Sequence, residues 1–214
     1  MLQENSVRLQ KAEKLSEQVF THIKRMILAE QIKGGEKIPE EKIAQTFGVS
    51  RTPIREALRK LEKYGLIKIV PHSHAEVVKV RIEDRAYIGE VRIQLEELST
   101  RLLAQKASPE QCDFLSTVAD ECDSHAENKD IAGVFEKDSE FHLEIARMSG
   151  NPYIYEILRN LNIKILLLRT IYCTTLEKIR QDLEFHKKIV EAIRNHDVDK
   201  AVYLMTEHLK ESYQ

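Results

Sequence analysis

The stretch Gly48-Val49-Ser50-Arg51-Thr52-Pro53-Ile54-Arg55-Glu56-Ala57-Leu58, continuing through Leu61, decides how the first third of this chain folds. Ile54, Ala57, Leu58 and Leu61 recur at helical spacing and mark one apolar face. Arg51, Arg55 and Arg59 recur every four residues on the other side. Ser50 is placed to cap the first turn, where backbone N–H groups lack partners. Pro53 sits in that turn, where a missing donor costs little. A docked helix with an outward arginine row near its start has the form of a major-groove reader.

The residues around this helix complete a small domain. A first helix is predicted from about Leu15 to Ala29, with Val19, Ile23, Met26 and Ile27 inward, after a frayed arm over residues 1–13. Gly34-Gly35 breaks the chain, Pro39 opens a second helix over Glu40–Thr46 (Ile43, Ala44 and Phe47 inward), and Gly48 makes the turn. Gly65 ends the arginine helix. Leu66–Val70 and Glu76–Val80 are rich in β-branched residues, and the loop Pro71-His72-Ser73-His74-Ala75 between them makes a hairpin, or wing. The winged helix-turn-helix therefore spans residues 1–80.

Residues 81–214 are helical by period, with helices expected at about 82–105, 109–127, 130–148, 152–171, 175–195 and 197–212. Short breaks between them, such as Ser108-Pro109 and Gly150-Asn151-Pro152, imply an all-α antiparallel bundle, so the fold class is mainly α. Charge divides at the same place. Residues 1–80 hold 15 Lys+Arg against 10 Asp+Glu, a balance of +5, and the remainder holds 18 against 25, a balance of −7. A basic head suits polyanionic DNA. The start of the chain is polar and charged rather than a signal peptide, and the longest apolar run, Ile165–Leu168, cannot span a bilayer, which points to a cytoplasmic protein with no membrane partner. Cys112, Cys122 and Cys173 lack paired spacing and read as free thiols.

Four residues of the bundle carry chemistry. Asp138 and His142 are four apart on a stripe with Ile131, Phe135 and Ile145. His186 lies with Ile179, Leu183, Val190 and Ile193, and His208 with Ala201, Leu204 and Met205. Burying such groups unpaired costs on the order of 1–3 kcal/mol each. A divalent cation would remove that cost, and three His with one Asp suit zinc or nickel, leaving positions open for water or a ligand. Hydrogen-bonded core histidines are the alternative. Arg92 lies beside a stripe of Ile88, Val91, Leu95 and Leu98. It either forks onto a ligand carboxylate or makes an exposed pair with Glu96 worth about 0.3–0.5 kcal/mol, and spacing alone favours the pair.

With these residues in view, Gly48–Leu58 with Leu61 and Gly65-Leu66-Ile67 resembles the winged-helix signature of the GntR superfamily of bacterial transcription regulators. Val91-Arg92 with Leu95-Glu96, Asp138 with Phe141-His142, Gly150-Asn151-Pro152, Glu184-Phe185-His186, Ile189–Ile193, Asp197 and Met205–Leu209 resemble the FCD ligand-binding domain of its FadR branch. The resemblance implies a homodimer on a palindromic operator of double-stranded DNA, acting as a ligand-responsive repressor. It implies Arg51, Thr52, Arg55 and Arg59 as duplex contacts, with His72 and His74 on the wing, although the family usually has glycine where this chain has His74. It implies a metal at Asp138, His142, His186 and His208, and a small carboxylate effector held by Arg92, which reverses the lean from spacing. Some members have arginine where this chain has Glu41, whose carboxylate would repel phosphate, so that contact is not carried over. Acyl-CoA-binding members lack the quartet, which argues against that ligand. A metal-dependent enzyme, its open positions activating water, would leave the DNA-reading head unexplained and lacks an evident general base, so no enzyme is expected; a sensor responding to the ion itself is a further alternative.

Overall fold

The computed structural model describes residues 2–172 and 175–213, with side chains over 15–171 and 175–212. The chain divides into two compact units, Met1–Val80 and Arg81–Gln214.

The first unit runs α1 (Leu2–Leu28), α2 (Glu40–Phe47), α3 (Arg51–Lys63), β1 (Ile67–Val70) and β2 (His74–Val77). Helix α1 starts at Leu2, not near Leu15. The segment before Leu15 has no glycine or proline and is rich in Leu, Gln, Glu and Lys, which propagate a helix readily. Val19, Ile23 and Ile27 of α1 meet Ile54, Ala57, Leu58 and Leu61 of α3 in the core, while Met26 is only half-buried. Each such side chain contributes about 1.5–3 kcal/mol by leaving water. Gly48 turns the chain between α2 and α3 with φ 61°, a left-handed conformation that favours glycine.

Ser50 takes the N-cap position of α3 in extended backbone, but its hydroxyl makes no capping bond. The third helical position is Pro53, which has no N–H to offer. The strands pair antiparallel, with Ile67 opposite Val77 and Val70 opposite His74. The second strand thus begins at His74, two residues before the expected start. The connection shrinks to Pro71-His72-Ser73, closed by Ser73 N–H donating to Val70 O at 3.1 Å, with His72 left-handed at φ 58°. The Glu62 carboxylate accepts from Ile69 N–H at 2.8 Å and ties β1 to α3.

The second unit is the bundle α4 (Ile82–Ala104), α5 (Pro109–Glu127), α6 (Ile131–Met148), α7 (Pro152–Tyr172), α8 (Leu176–Arg194) and α9 (Val198–Tyr213). Its ends fall where the capping residues stand. The Ser108 hydroxyl accepts from Gln111 N–H at 3.3 Å while the Gln111 amide accepts from Ser108 N–H at 2.9 Å. Asp130 and Thr175 accept from Gly133 and Lys178 N–H in the same manner. Leu103, Leu115, Phe141, Ile145, Ile189, Ile193, Met205 and Leu209 fill the core between α4, α5, α6, α8 and α9.

Helix α4 is oriented otherwise than its apolar stripe suggests. Val91 and Leu98 are exposed, and Ile88, Arg92, Glu96, Ser99, Thr100 and Leu103 face inward. Cys112 and Cys122 are buried free thiols, and burial pushes the Cys122 thiol far up, so it stays protonated. Cys173 lies outside the described residues. Among the described residues no helix is long and apolar enough to cross a membrane.

Candidate metal centre and duplex-facing helix

Helices α6, α8 and α9 each turn one face to a common point. Asp138 and His142 project from α6 one turn apart, His186 from α8 and His208 from α9. All four are buried, the most exposed being His142 at 4%. One ligand atom from each can be chosen so that all four lie within 4.8 Å of one another. His142 Nε2 is 3.1 Å from His208 Nε2 and 3.8 Å from Asp138 Oδ2, and His186 Nε2 is 3.4 Å from Asp138 Oδ1. Phe141 stacks on the His186 ring, with centroids 4.1 Å apart, and walls the cluster.

The cluster is short of partners. Asp138 Oδ1, both nitrogens of His186 and His208 Nδ1 are buried without a hydrogen bond among the described residues. Orphaned polar atoms buried in one spot cost on the order of 1–3 kcal/mol each, and a cation would take up Asp138 Oδ1 and one nitrogen of each imidazole. Protonation states fit a cation as well. Burial opposes the Asp138 carboxylate, yet Arg169, His142 and His186 hold it well below the ordinary carboxylate range. Burial pushes the His186 imidazole down, and burial with neighbouring His186 and His142 pushes His208 well down, so both stay neutral. An ionised carboxylate and neutral imidazoles are the forms that ligate.

Two further residues attend the cluster, and spacing tied neither of them to it. The Arg169 guanidinium of α7 donates through Nη1 to Asp138 Oδ2 and stands over the Phe135 ring, 5.4 Å from its centroid. Glu96 of α4 accepts from His142 Nδ1. Arg92 does pair with Glu96, Nε to Oε1 at 2.5 Å, but the pair is buried, each residue 2% exposed. Burial alone would push the Glu96 carboxyl up; Arg92 and then His142 outweigh it and hold it at about 2. The four-residue spacing of Arg92 and Glu96 was visible in the sequence; the missing signal was that α4 turns this polar row inward. Nothing local hinted that Arg169 reaches Asp138 from another helix.

In the first unit, Arg51, Thr52, Arg55 and Arg59 are exposed on α3, opposite its buried face. His72 is exposed at the turn of the hairpin, whereas His74 is half-buried, its Nδ1 2.7 Å from Ser73 Oγ and its Nε2 3.2 Å from Glu76 Oε2. The outward row of α3 presents cationic forks that match phosphate oxygens and guanine edges.

Two family models match successive parts of the chain. Residues 15–77 match the family described as bacterial regulatory proteins, gntR family, and residues 87–211 match the FCD domain. The chain is 29% identical to the HTH-type transcriptional regulator YdhC of Bacillus subtilis, over 86% of this chain and 83% of that protein. It is 26% identical to the HTH-type transcriptional repressor RspR of Escherichia coli, over 92% and 86% respectively. Among solved structures, E. coli McbR/YncC superposes with a TM-score of 0.70 at 21% identity, covering 92% of this chain and 93% of that one, a likeness of fold.

Proposed function

Because the chain belongs to the GntR family of bacterial transcription regulators and carries an FCD domain, we propose that it is a homodimeric repressor whose operator affinity answers to a small carboxylate bound beside a metal ion. Its family consists of DNA-binding regulators rather than enzymes. The observation that carries the sensing half is the buried convergence of Asp138, His142, His186 and His208 within 4.8 Å, with orphaned ligand atoms. These four would hold a divalent transition metal, zinc or nickel by the softness of the donors. A bound ion supplies open coordination positions for the oxygens of an organic acid. Arg92 is the guanidinium on hand for the acid's carboxylate, its fork matching two oxygens at once.

On the DNA side, Arg51 and Arg55 read base edges, with Thr52 and Arg59 on the backbone and the wing residues His72 and His74 nearest the minor groove. Two such heads grip successive major grooves about 34–36 Å apart on a palindrome. Tyr87, Val91 and Leu98 on α4 and Tyr153 and Ile157 on α7 are exposed apolar side chains on helices that pack together. They supply a face on which a second copy can sit. The acid changes operator affinity only as far as it binds the two arrangements of the dimer differently.

Elemental analysis of protein purified without a histidine tag tests the reading. The expected result is about one transition-metal ion per chain, lost in His186→Ala, because the four converging ligand atoms belong to a single site. A chain that takes up no zinc or nickel would remove the ion from the proposal.

A further inference from the structure

The side chains of Arg92, Glu96 and His142 form a hydrogen-bonded row. Glu96 Oε1 accepts from Arg92 Nε at 2.5 Å, and Glu96 Oε2 faces His142 Nδ1. Arg92 and Glu96 are 2% exposed and His142 4%, so solvent does not compete for these contacts. A carboxylate between two ring or guanidinium nitrogens accepts from both. His142 Nδ1 therefore carries a proton, and in the neutral ring the lone pair falls to Nε2, 3.1 Å from His208 Nε2 and 3.8 Å from Asp138 Oδ2. The other two imidazoles have no such support. His186 Nδ1 and His208 Nδ1 lack a hydrogen-bond partner among the described residues.

We propose that Glu96 is the positioning residue of the centre, fixing the tautomer and ring plane of His142 so that one preset ligand organises the other three, and that Arg92 aims Glu96. The inference rests on the ion-binding reading above. It also gives Arg92 a second task. A residue that receives an acid's carboxylate and also braces a ligand's partner makes the ion and the acid sense each other, reciprocally.

Glu96→Gln isolates the effect because it keeps shape and removes one acceptor. An amide has one accepting and one donating end. With the Arg92 Nε–H claiming the carbonyl, the NH₂ faces His142 and drives its proton onto Nε2. Long-range ¹H–¹⁵N spectra of the ion-free chain are expected to show His142 protonated on Nδ1 in the wild type and on Nε2 in Glu96→Gln. Zinc affinity, measured by chelator competition, should fall about 10–100-fold, the usual cost of losing a ligand's outer partner. In the double variant Arg92→Met with Glu96→Gln the amide is free to turn its carbonyl to His142, and most of that loss should be recovered.

A purely structural role would lower the melting temperature without moving the tautomer, and adding Arg92→Met would deepen the damage. An Nε2–H tautomer in the wild type overturns the inference without any variant, as does unchanged zinc affinity in Glu96→Gln. Wild-type chain that takes up no zinc refutes the ion reading separately, while the tautomer spectrum still judges Glu96.

Discussion

Replacing Arg169 by methionine should hurt this protein severely in a chelating buffer and much less in zinc. The guanidinium donates to Asp138 Oδ2, and the two residues are 10% and 1% exposed in their side chains. Methionine keeps most of the stem volume. It also replaces part of the contact with the Phe135 ring, since sulfur and guanidinium each interact with an aromatic ring by roughly 0.5–1.5 kcal/mol. What remains is a buried carboxylate with its cation removed. Breaking a buried pair from one side costs about 3–5 kcal/mol. With a urea slope of about 2 kcal/mol per molar, the midpoint should fall by about 2 M. When zinc saturates the centre, its charge compensates Asp138, and the loss should shrink to about 1.5–3 kcal/mol, that of one hydrogen bond to a charged group. Urea unfolding followed by circular dichroism, with excess EDTA and again with saturating zinc, measures both values. Equal losses in the two buffers would refute the reasoning, because Asp138 would then be answering to Arg169 alone.

Arg55→Ala should abolish specific operator binding in a gel-shift titration while leaving the melting temperature unchanged, since Arg55 is exposed and the face it shares with Arg51 and Arg59 packs on nothing in α3's own core. Residual binding should weaken linearly in log–log form as salt rises; wild-type affinity in the variant would remove the assignment. Acid should destabilise the ion-free bundle. His186 and His208 have folded pKa values pushed below the ordinary imidazole value. Below about pH 6.5 the unfolded chain therefore binds more protons, and stability falls as pH drops, by about 1.4 kcal/mol per pH unit for each imidazole. Asp138 acts in the same direction in a lower window, its stabilisation being present above about pH 4 and lost as pH falls toward its depressed value. Urea midpoints compared at about pH 7.5 and 5.5 read the imidazole part, and a flat profile would show that these rings are solvated.

Several helix starts in the bundle were legible because they are written twice, once in the apolar period and once in a capping side chain. Ser108 with Gln111 and Asn151 before Pro152 form the hydrogen bonds their spacing announces. The quartet was legible because Asp138, His142, His186 and His208 interrupt stripes that are otherwise apolar, and an interrupted stripe locates the polar group on the buried side. Helix α4 defeated the same logic. It carries apolar residues on more than one side, and period counting assigns the apolar ones inward by default. Val91 and Leu98 point outward, and the inward row is charged because Arg92, Glu96 and His142 satisfy one another. The pairing of Arg169 with Asp138 spans 31 positions and two helices, a distance at which local patterns are silent. The second strand starts earlier than its composition suggests for a different reason. A non-glycine residue, His72, takes the left-handed position, so the tight connection lacks the glycine or asparagine that usually marks it.

The reversal of α4 has a consequence for how substitutions along it will be tolerated. In an ordinary surface helix, charged positions accept almost anything and oily ones resist change. Here a saturation library should invert that grading: Arg92 and Glu96 behave as the fragile positions, and Tyr87, Val91 and Leu98 accept polar replacements as far as the lone subunit's folding is concerned. A hydrophobicity profile used to choose solubilising changes would spare the wrong side of this helix.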